Sequence, residues 1–194
     1  MLTDILKEFN WLDIFVIILL IRECYIASKT GLPIEIFKFL GTVAAIYIGL
    51  HYYTVVSDAI GLRFPYFKEK TPLRFLDFLS CAILAIIGYL VFLSLRVAFH
   101  RFIKMEAVPN LNKWGGLILG IVRGFLTVSL IIFVMILSDI TYFKKSAVGS
   151  YSGKQLFEVS PNTYGWLWNN ITSKFMTTEK FNKAVLEVKK DLNP

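Results

Sequence analysis

The chain has 194 residues, of which 56% are hydrophobic and 18% are charged, and its net charge is +7. Soluble domains average about 45–50% apolar and about 25% charged residues, so a soluble domain of this length could not bury so much apolar side chain. Disorder is excluded by the same apolar content, and a disulfide-rich secreted domain is excluded because the chain has only two cysteines, Cys24 and Cys81. The basic excess therefore bears on a membrane surface, and no nucleic-acid partner is expected.

The first apolar run in chain order covers residues 10–27. Its centre, residues 14–21, is uniformly apolar, but Asp13 precedes it and Arg22 and Glu23 follow it. A bilayer span needs about 20 mostly apolar residues, so this run can span only if those polar groups are buried in protein or lie near the surface. No small-residue cleavage site follows, and a retained helix is favoured over a cleaved signal peptide.

Three later runs are more clearly apolar, and residues 114–137 contain Arg123 as their only charged residue. Membrane strands alternate in polarity, and residues 83–92 do not. Only helices satisfy all backbone groups within one segment in lipid. The sequence therefore predicts an all-α, polytopic membrane protein with four transmembrane helices, over residues 10–27, 33–56, 73–104 and 111–138.

The character of the sequence changes after residue 140. Trp166 and Trp168 are of a type enriched at membrane interfaces. Both apolar stripes of this region fit amphipathic helices that lie on a membrane or pack against the bundle. We therefore divide the chain into a four-helix transmembrane domain (residues 1–140) and an amphipathic, interfacial tail (residues 141–194). The stripes follow helical spacing and consist of Tyr164, Leu167, Trp168, Ile171 and Phe175, and of Phe181, Ala184, Val185, Val188 and Leu192.

Four spans would place both termini on one side of the membrane. Lys and Arg are enriched in short cytoplasmic loops of membrane proteins, so a count of these residues predicts the orientation. The count favours termini on the inside. The terminal side carries Lys7, Arg63, Lys68, Lys70, Arg74, Lys144, Lys145 and Lys154, whereas the opposite side carries Arg22, Lys29, Arg101, Lys104 and Lys113.

Five charged residues lie within the predicted spans or at their ends: Asp13, Glu35, Lys38, Asp77 and Arg123. An ionisable group at bilayer depth costs about 2.5–3.5 kcal/mol and usually faces the bundle interior. Arg123 therefore needs a partner, for which Asp13 and Asp77 are the candidates. Glu35 and Lys38 are three residues apart and can pair with each other. A structural ion pair that fixes helix register and a polar path for protons or a small ion are both open.

The last apolar run contains a ladder of glycines, Gly116, Gly120 and Gly124, with Gly115 beside it. Small residues repeated every four positions let another helix approach closely. The ladder therefore predicts tight helix packing. Its partner is a helix of this chain, of a second copy or of another membrane protein.

Catalytic and metal-binding patterns are absent from the sequence. His51 and His100 are isolated, and no Cys or His has metal-ligand spacing. The glycine ladder is not followed by the Lys-Ser/Thr of a phosphate-binding loop. We therefore expect a protein that is not an enzyme, has no metal or cofactor, and has the lipid bilayer as its partner.

Several short motifs occur together in one order. Asn10-Trp11-Leu12-Asp13 opens the first helix, Gly31 and Glu35 follow, and His51-Tyr52-Tyr53 lies in the second helix. Residues 111–124 then read Leu-Asn-Lys-Trp-Gly-Gly-Leu-Ile-Leu-Gly-Ile-Val-Arg-Gly. Over roughly residues 9–170 the chain resembles the colicin V production protein (CvpA) family of bacterial inner-membrane proteins. It departs from the family where Thr30 precedes Gly31, a position at which members often have a basic residue.

The resemblance implies a multi-pass protein of the bacterial inner membrane, linked to colicin V production, a toxin biosynthesis process, and to envelope homeostasis. Some relatives carry a secreted protease domain after the membrane region, which would place the C-terminus outside, against the charge count. We expect a non-enzymatic scaffold for envelope homeostasis or for toxin or bacteriocin export. The alternative is a small transporter or channel component that uses Asp13, Glu35 and Arg123, and a weaker one is a membrane anchor for a separate enzyme.

Overall fold

The computed structural model describes residues 10–64, 72–102 and 109–190, and these segments are almost entirely helical. No described residue lies in a strand, which confirms the all-α prediction. Four long helices form the body of the bundle. They are α1 (Trp11–Thr30), α2 (Leu32–Arg63), α3 (Leu73–Phe102) and α4 (Pro109–Leu137).

Short helices follow α4 and pack against α1, α2 and α4. Val185 and Val188 of the second apolar stripe are buried, so this stripe packs against protein. Leu192 lies outside the described residues, and the division of the chain at residue 140 stays a prediction. The short helices are α5 (Thr141–Val148), α6 (Tyr151–Leu156), α7 (Val159–Leu167), α8 (Ser173–Phe175) and α9 (Ala184–Lys190), with a π-helical turn at Trp168–Thr172.

The prediction of four membrane-spanning helices requires a correction. α1 forms near its predicted position, but it is not apolar enough because Asp13, Arg22, Glu23 and Lys29 interrupt its apolar residues. By length and composition, three helices within the described ranges can cross a membrane: Leu32–Arg63, Leu73–Phe99 and Asn110–Leu137.

The start of α1 and the tail lie at the same end of the bundle. The side-chain amide of Asn10 donates a 2.8 Å hydrogen bond to the carbonyl oxygen of Ser146. The indole N–H of Trp11 donates to the Ser146 hydroxyl, also over 2.8 Å. The start of α1 and the start of the tail are therefore neighbours, and the placement of both termini on one side of a membrane stays a prediction.

The hydrophobic core is continuous between the long helices and the tail. Tyr53 of α2, Phe133 of α4 and Phe157 of the tail are almost completely buried. The ring of Phe133 stacks on Phe157 at a centroid distance of 6.0 Å and meets Tyr53 edge-on at 6.4 Å. Aromatic side chains bury about 150–250 Å² each, so this trio anchors the tail on the bundle.

Candidate functional site

Five charged side chains from three helices form a continuous line of ion pairs with alternating sign. In order along the line they are Arg22, Glu23, Arg123, Glu35 and Lys38, and we call this set the charge chain. α1 supplies the first two, α4 supplies the central arginine and α2 supplies the last two. Each carboxylate therefore lies between two cations, and the set carries one net positive charge.

Arg123 is the centre of the charge chain. Its Nη2 pairs with Glu23, and its Nε lies 3.1 Å from Oε2 of Glu35. Oε1 of Glu23 lies 3.2 Å from Nη1 of Arg22. Oε1 of Glu35 lies 2.6 Å from Nζ of Lys38, so the pair expected from their three-residue spacing is present. Arg123 thus joins two pairs that α1 and α2 each form locally.

Most of the charge chain is buried. The exposed fraction of the side chain is 0% for Glu35, 5% for Arg123 and 8% for Glu23, whereas it is 66% for Arg22. The hydroxyl of Thr30 donates a further 2.6 Å hydrogen bond to Glu35. A buried charge without a partner is strongly unfavourable, so the alternation of signs is what allows this cluster to be buried.

Neither predicted partner of Arg123 binds it, and this prediction was wrong. Asp13 closes the capping box at the start of α1 and accepts a 2.7 Å hydrogen bond from the backbone N–H of Ser152. Asp77 accepts a hydrogen bond from the hydroxyl of Ser57. Both aspartates lie near helix ends, where they connect neighbouring segments, whereas Arg123 lies at the middle of α4. The partners of Arg123 are glutamates that lie closer to its level in the bundle.

The glycine ladder of α4 packs against α1 of the same chain. A Cβ atom on Gly116 would lie 2.9 Å from the backbone carbonyl carbon of Gly31. A Cβ atom on Gly120 would collide with the side chain of Ala27. Neither neighbour can move without shifting a backbone, so both glycines are needed for the helices to approach this closely. The close approach brings Arg123 against α1.

The turn between α1 and α2 is held by α4. Gly31 has a φ of +80°, which favours glycine, and a Cβ atom there would lie 2.9 Å from Cγ of Asn112. Oδ1 of Asn112 accepts a 2.7 Å hydrogen bond from the backbone N–H of Leu32 and so binds a free donor at the start of α2. The nearest atoms to a Cβ at Gly115 or Gly124 would be the ends of the Leu32 and Leu20 side chains, which can adjust, and a Cβ at Gly124 would also be in ordinary contact with Glu23.

A groove of about 550 Å³ opens beside the charge chain. Its charged end consists of Arg22, Glu23 and Arg123. The remainder of its wall is mostly apolar and comes from α2, α3 and α4. These wall residues are Thr42, Ala45, Ala82, Ala85, Ile86, Tyr89, Leu90, Thr127, Leu130, Ile131, Val134 and Met135.

A second polar cluster, which we call the tail latch, joins α2 to the tail. The Nδ1 atom of His51 lies 2.9 Å from the hydroxyl of Tyr164, and its Nε2 atom lies 2.8 Å from Oε2 of Glu179. The hydroxyl of Tyr52 donates to Glu179 over 2.8 Å. Trp168 stacks on the His51 ring at 5.3 Å. His51 is therefore not isolated, because the fold brings partners to it from more than 100 residues along the chain.

The contacts of the tail latch shift the pKa values of Glu179 and Tyr164 in opposite directions. The hydrogen bond from Tyr52 lowers the pKa of Glu179, and the hydrogen bond from His51 acts in the same direction. Burial raises the pKa of Tyr164 to about 12. Near neutral pH the latch thus combines a carboxylate with a neutral hydroxyl. Trp166 is 59% exposed, whereas Trp168 is occupied by the latch, so only the former is free to meet a membrane surface.

The charge chain and the glycine contacts fix the positions of α1, α2 and α4 relative to one another. Within the described ranges, no three or more His, Cys, Asp and Glu side chains are grouped to hold a metal ion. Glu23, Asn112 and Glu179 have structural roles that the sequence alone did not suggest. For Glu23 the sequence did contain a clue, because it recurs at helical spacing with the apolar residues Val16 and Ala27. The structure shows that all three of these α1 residues are buried.

A protein-family model described as colicin V production protein matches residues 12–177. The match covers far more than half of the chain and includes the whole charge chain and the glycine ladder. The chain belongs to the colicin V production protein family. No curated protein and no solved structure matches it. Family membership and the three apolar helices of the described ranges indicate a membrane protein. Glu179 of the tail latch lies just beyond the matched range.

Proposed function

We propose that this protein is a non-enzymatic scaffold in the bacterial inner membrane, serving envelope homeostasis or the export of a toxin or bacteriocin. It acts by presenting a rigid helical bundle to other membrane components. The observation that carries this proposal is the charge chain, because both of its carboxylates are taken up by cations from neighbouring helices. Charged groups held in this way fix helix positions.

The outer surface of the bundle supports placement in a membrane. On α1, Ile14, Ile18, Ile21 and Tyr25 recur at helical spacing and are each more than half exposed. Contiguous apolar surface of this kind is rare on soluble monomers. In a bilayer the same stripe would contact lipid, while Glu23 of α1 stays turned toward Arg123 of α4.

The scaffold proposal is tested with Gly120→Leu. A leucine here would force α1 away from α4, since even a Cβ atom collides with Ala27. We expect the variant to lose folded protein from the inner-membrane fraction and to fail to restore growth of a deletion strain under detergent stress. Gly165→Leu is the matched control, because a Cβ atom at Gly165 meets nothing within 4 Å. Normal growth and normal assembly of Gly120→Leu would refute the proposal.

A transport role ranks second. It is favoured only by the groove, which touches Glu23 and Arg123. Glu35 is fully buried and ion-paired. Asp13, at the start of α1 and away from Arg123, accepts a hydrogen bond from the backbone of Ser152. A scaffold predicts that proteoliposomes with wild-type protein and with Glu35→Gln have the same proton and potassium leak. A wild-type leak that Glu35→Gln abolishes would favour transport instead.

A further inference from the structure

One arginine of the groove is exposed near the middle of the proposed membrane placement. Arg22 lines the groove, and its side chain is 66% exposed. It precedes Glu23, which pairs with Arg123, and Arg123 is the fourteenth of the 28 residues of the apolar span Asn110–Leu137. Charged groups at this depth almost always face the bundle interior, and arginines extend to the membrane surface only from near helix ends. Arg22 is therefore exposed at a depth where neither bulk water nor a lipid headgroup is expected.

This arginine can bind one more acid. Among the described residues its partner is Glu23, which engages Nη1, whereas a guanidinium has five N–H donors on three nitrogens. The charge chain contains three cations and two carboxylates, so one positive charge is left over. A single further carboxylate beside Arg22 would accept the remaining hydrogen bonds and make the set neutral. The hydrocarbon chains of lipids can do neither.

The wall of the groove leads from this depth toward the tail end of the bundle. Along α4 it extends from Arg123 to Met135, which corresponds to about 18 Å, or about three helical turns. Its α2 and α3 sides contain small side chains, Ala45, Ala82 and Ala85, which allow a neighbouring helix to approach closely. Because α3 packs mainly on α2 and only slightly on α4, the groove is a space in which one face of a further helix can pack.

A second copy of this chain does not supply the carboxylate from its long helices. The described parts of those four helices contain five acidic residues. Glu23 and Glu35 are buried within the charge chain. The other three lie near helix ends, away from the middle of the membrane: Asp13, Asp58 and Asp77. The acid that fits the groove therefore belongs to a different membrane protein.

We propose that the groove binds a transmembrane helix of another membrane protein, which carries one Asp or Glu near its middle and apolar residues from there toward the tail end of the bundle. Its carboxylate pairs with Arg22, and its apolar face packs along the wall toward Met135. Opposite charges attract far more strongly at low dielectric constant than in water, so one acid at this depth selects the partner. The inference rests on the proposed scaffold function, and it names the class of partner that the bundle holds.

The test uses the full-length protein with a C-terminal fluorescent tag in phosphatidylcholine liposomes. Two dye-labelled synthetic peptides of about 20 Leu and Ala residues span the bilayer and differ only in the position of one Glu, which is central in one and near the end in the other. Energy transfer measures association. We expect wild type to bind the central-Glu peptide about tenfold more tightly, the factor typical of interhelical polar contacts in membranes. Arg22→Gln should abolish this preference, whereas Arg63→Gln, the same change at an exposed residue near the end of α2, should keep it.

A second pair of variants tests the packing along the wall. Ala82→Phe places a large ring in the groove and should weaken the binding of both peptides. Ala59→Phe, the same change at an exposed position of α2 outside the groove, should leave the binding of both unchanged. Equal binding of the two peptides by wild type, an unchanged preference in Arg22→Gln, or unchanged binding in Ala82→Phe would each overturn the proposal.

The growth assay of Gly120→Leu distinguishes this proposal from the scaffold function on which it rests. If Gly120→Leu fails as expected while wild type binds the two peptides equally, the partner helix alone is refuted. Normal assembly and normal growth of Gly120→Leu refute the scaffold, and the partner helix proposed for it with it.

Discussion

Replacing Arg123 by Gln tests the view that the charge chain holds the bundle together. The substitution removes the side chain that, among the residues the structure describes, forms ion pairs with both Glu23 and Glu35. Both ion pairs are buried, and removing one partner of a buried pair costs about 3–5 kcal/mol because the other charge stays behind. Glu35 keeps Lys38 as a partner, and Glu23 keeps Arg22, which is largely exposed. We therefore expect a loss of about 3–5 kcal/mol in the free energy of unfolding.

The measurement is SDS-induced unfolding in mixed micelles, followed by circular dichroism. Arg63→Gln removes the same charge from an exposed position and should stay within about 0.5 kcal/mol of wild type. Adding Glu23→Gln to Arg123→Gln should cost less than the sum of the single changes by about 1–3 kcal/mol, because the orphaned acid is removed. A cost below about 1 kcal/mol for Arg123→Gln, or strict additivity of the two changes, would refute the reasoning.

Three other substitutions test separate contacts. Gly116→Ala should destabilise the bundle by about 1–3 kcal/mol, because its Cβ would press on backbone; Gly165→Ala should be neutral or slightly stabilising in the same unfolding assay. Asn112→Ala should cost about 1 kcal/mol through the lost cap on α2, whereas an unchanged unfolding midpoint would remove that role. The lowered pKa of Glu179 means that its contribution to stability is present above the pKa it has in the unfolded chain and is lost as pH falls through its folded value. Hydrogen exchange should therefore report a looser tail at acid pH in wild type, and Glu179→Gln should be loose at neutral pH already.

The long helices were predictable because apolar runs directly determine which segments avoid water. The ends of the helices were less so, as α2 illustrates. Its apolar run ends near residue 56, but the helix continues to Arg63. Ser57 is buried in this extension and donates to Asp77 of α3. An apolar run marks where a segment is sheltered from water, whereas the helix continues as long as its backbone and a neighbouring helix support it.

The partner of Arg123 depends on how α1 and α4 are aligned, which no single segment encodes. The structure supplies the alignment through the glycines. Gly116 meets Gly31 and Gly120 meets Ala27, so four residues forward along α4 correspond to four residues back along α1. One further step of four residues pairs Gly124 with Glu23, and Arg123 is the residue before Gly124. The sequence predicted the glycine ladder and the need of Arg123 for a partner as separate features. In the structure, the packing of the ladder against Ala27 and Gly31 aligns α1 with α4 and thereby determines which acid Arg123 meets.

The tail latch was missed for a different reason. His51 and Glu179 are 128 residues apart, and their contact depends on how the tail folds back over α2. Periodicity predicted the apolar stripe that contains Tyr164 and Trp168, but not the surface that it covers. Long-range polar contacts of this kind follow from the complete fold.

The order in which the charge chain is synthesised has a consequence for assembly. As the chain emerges, Arg22 with Glu23 and Glu35 with Lys38 form two neutral pairs, each complete within its own helix. Arg123 arrives nearly 90 residues after Glu35, with no acid of its own nearby on α4. These four residues therefore leave α1 and α2 without an unbalanced charge, whereas Arg123 of α4 needs the glutamates of both helices as partners. A chain truncated before α4 would keep both neutral pairs but would lack the arginine that joins them, so α1 and α2 are joined through the charge chain only after α4 is made.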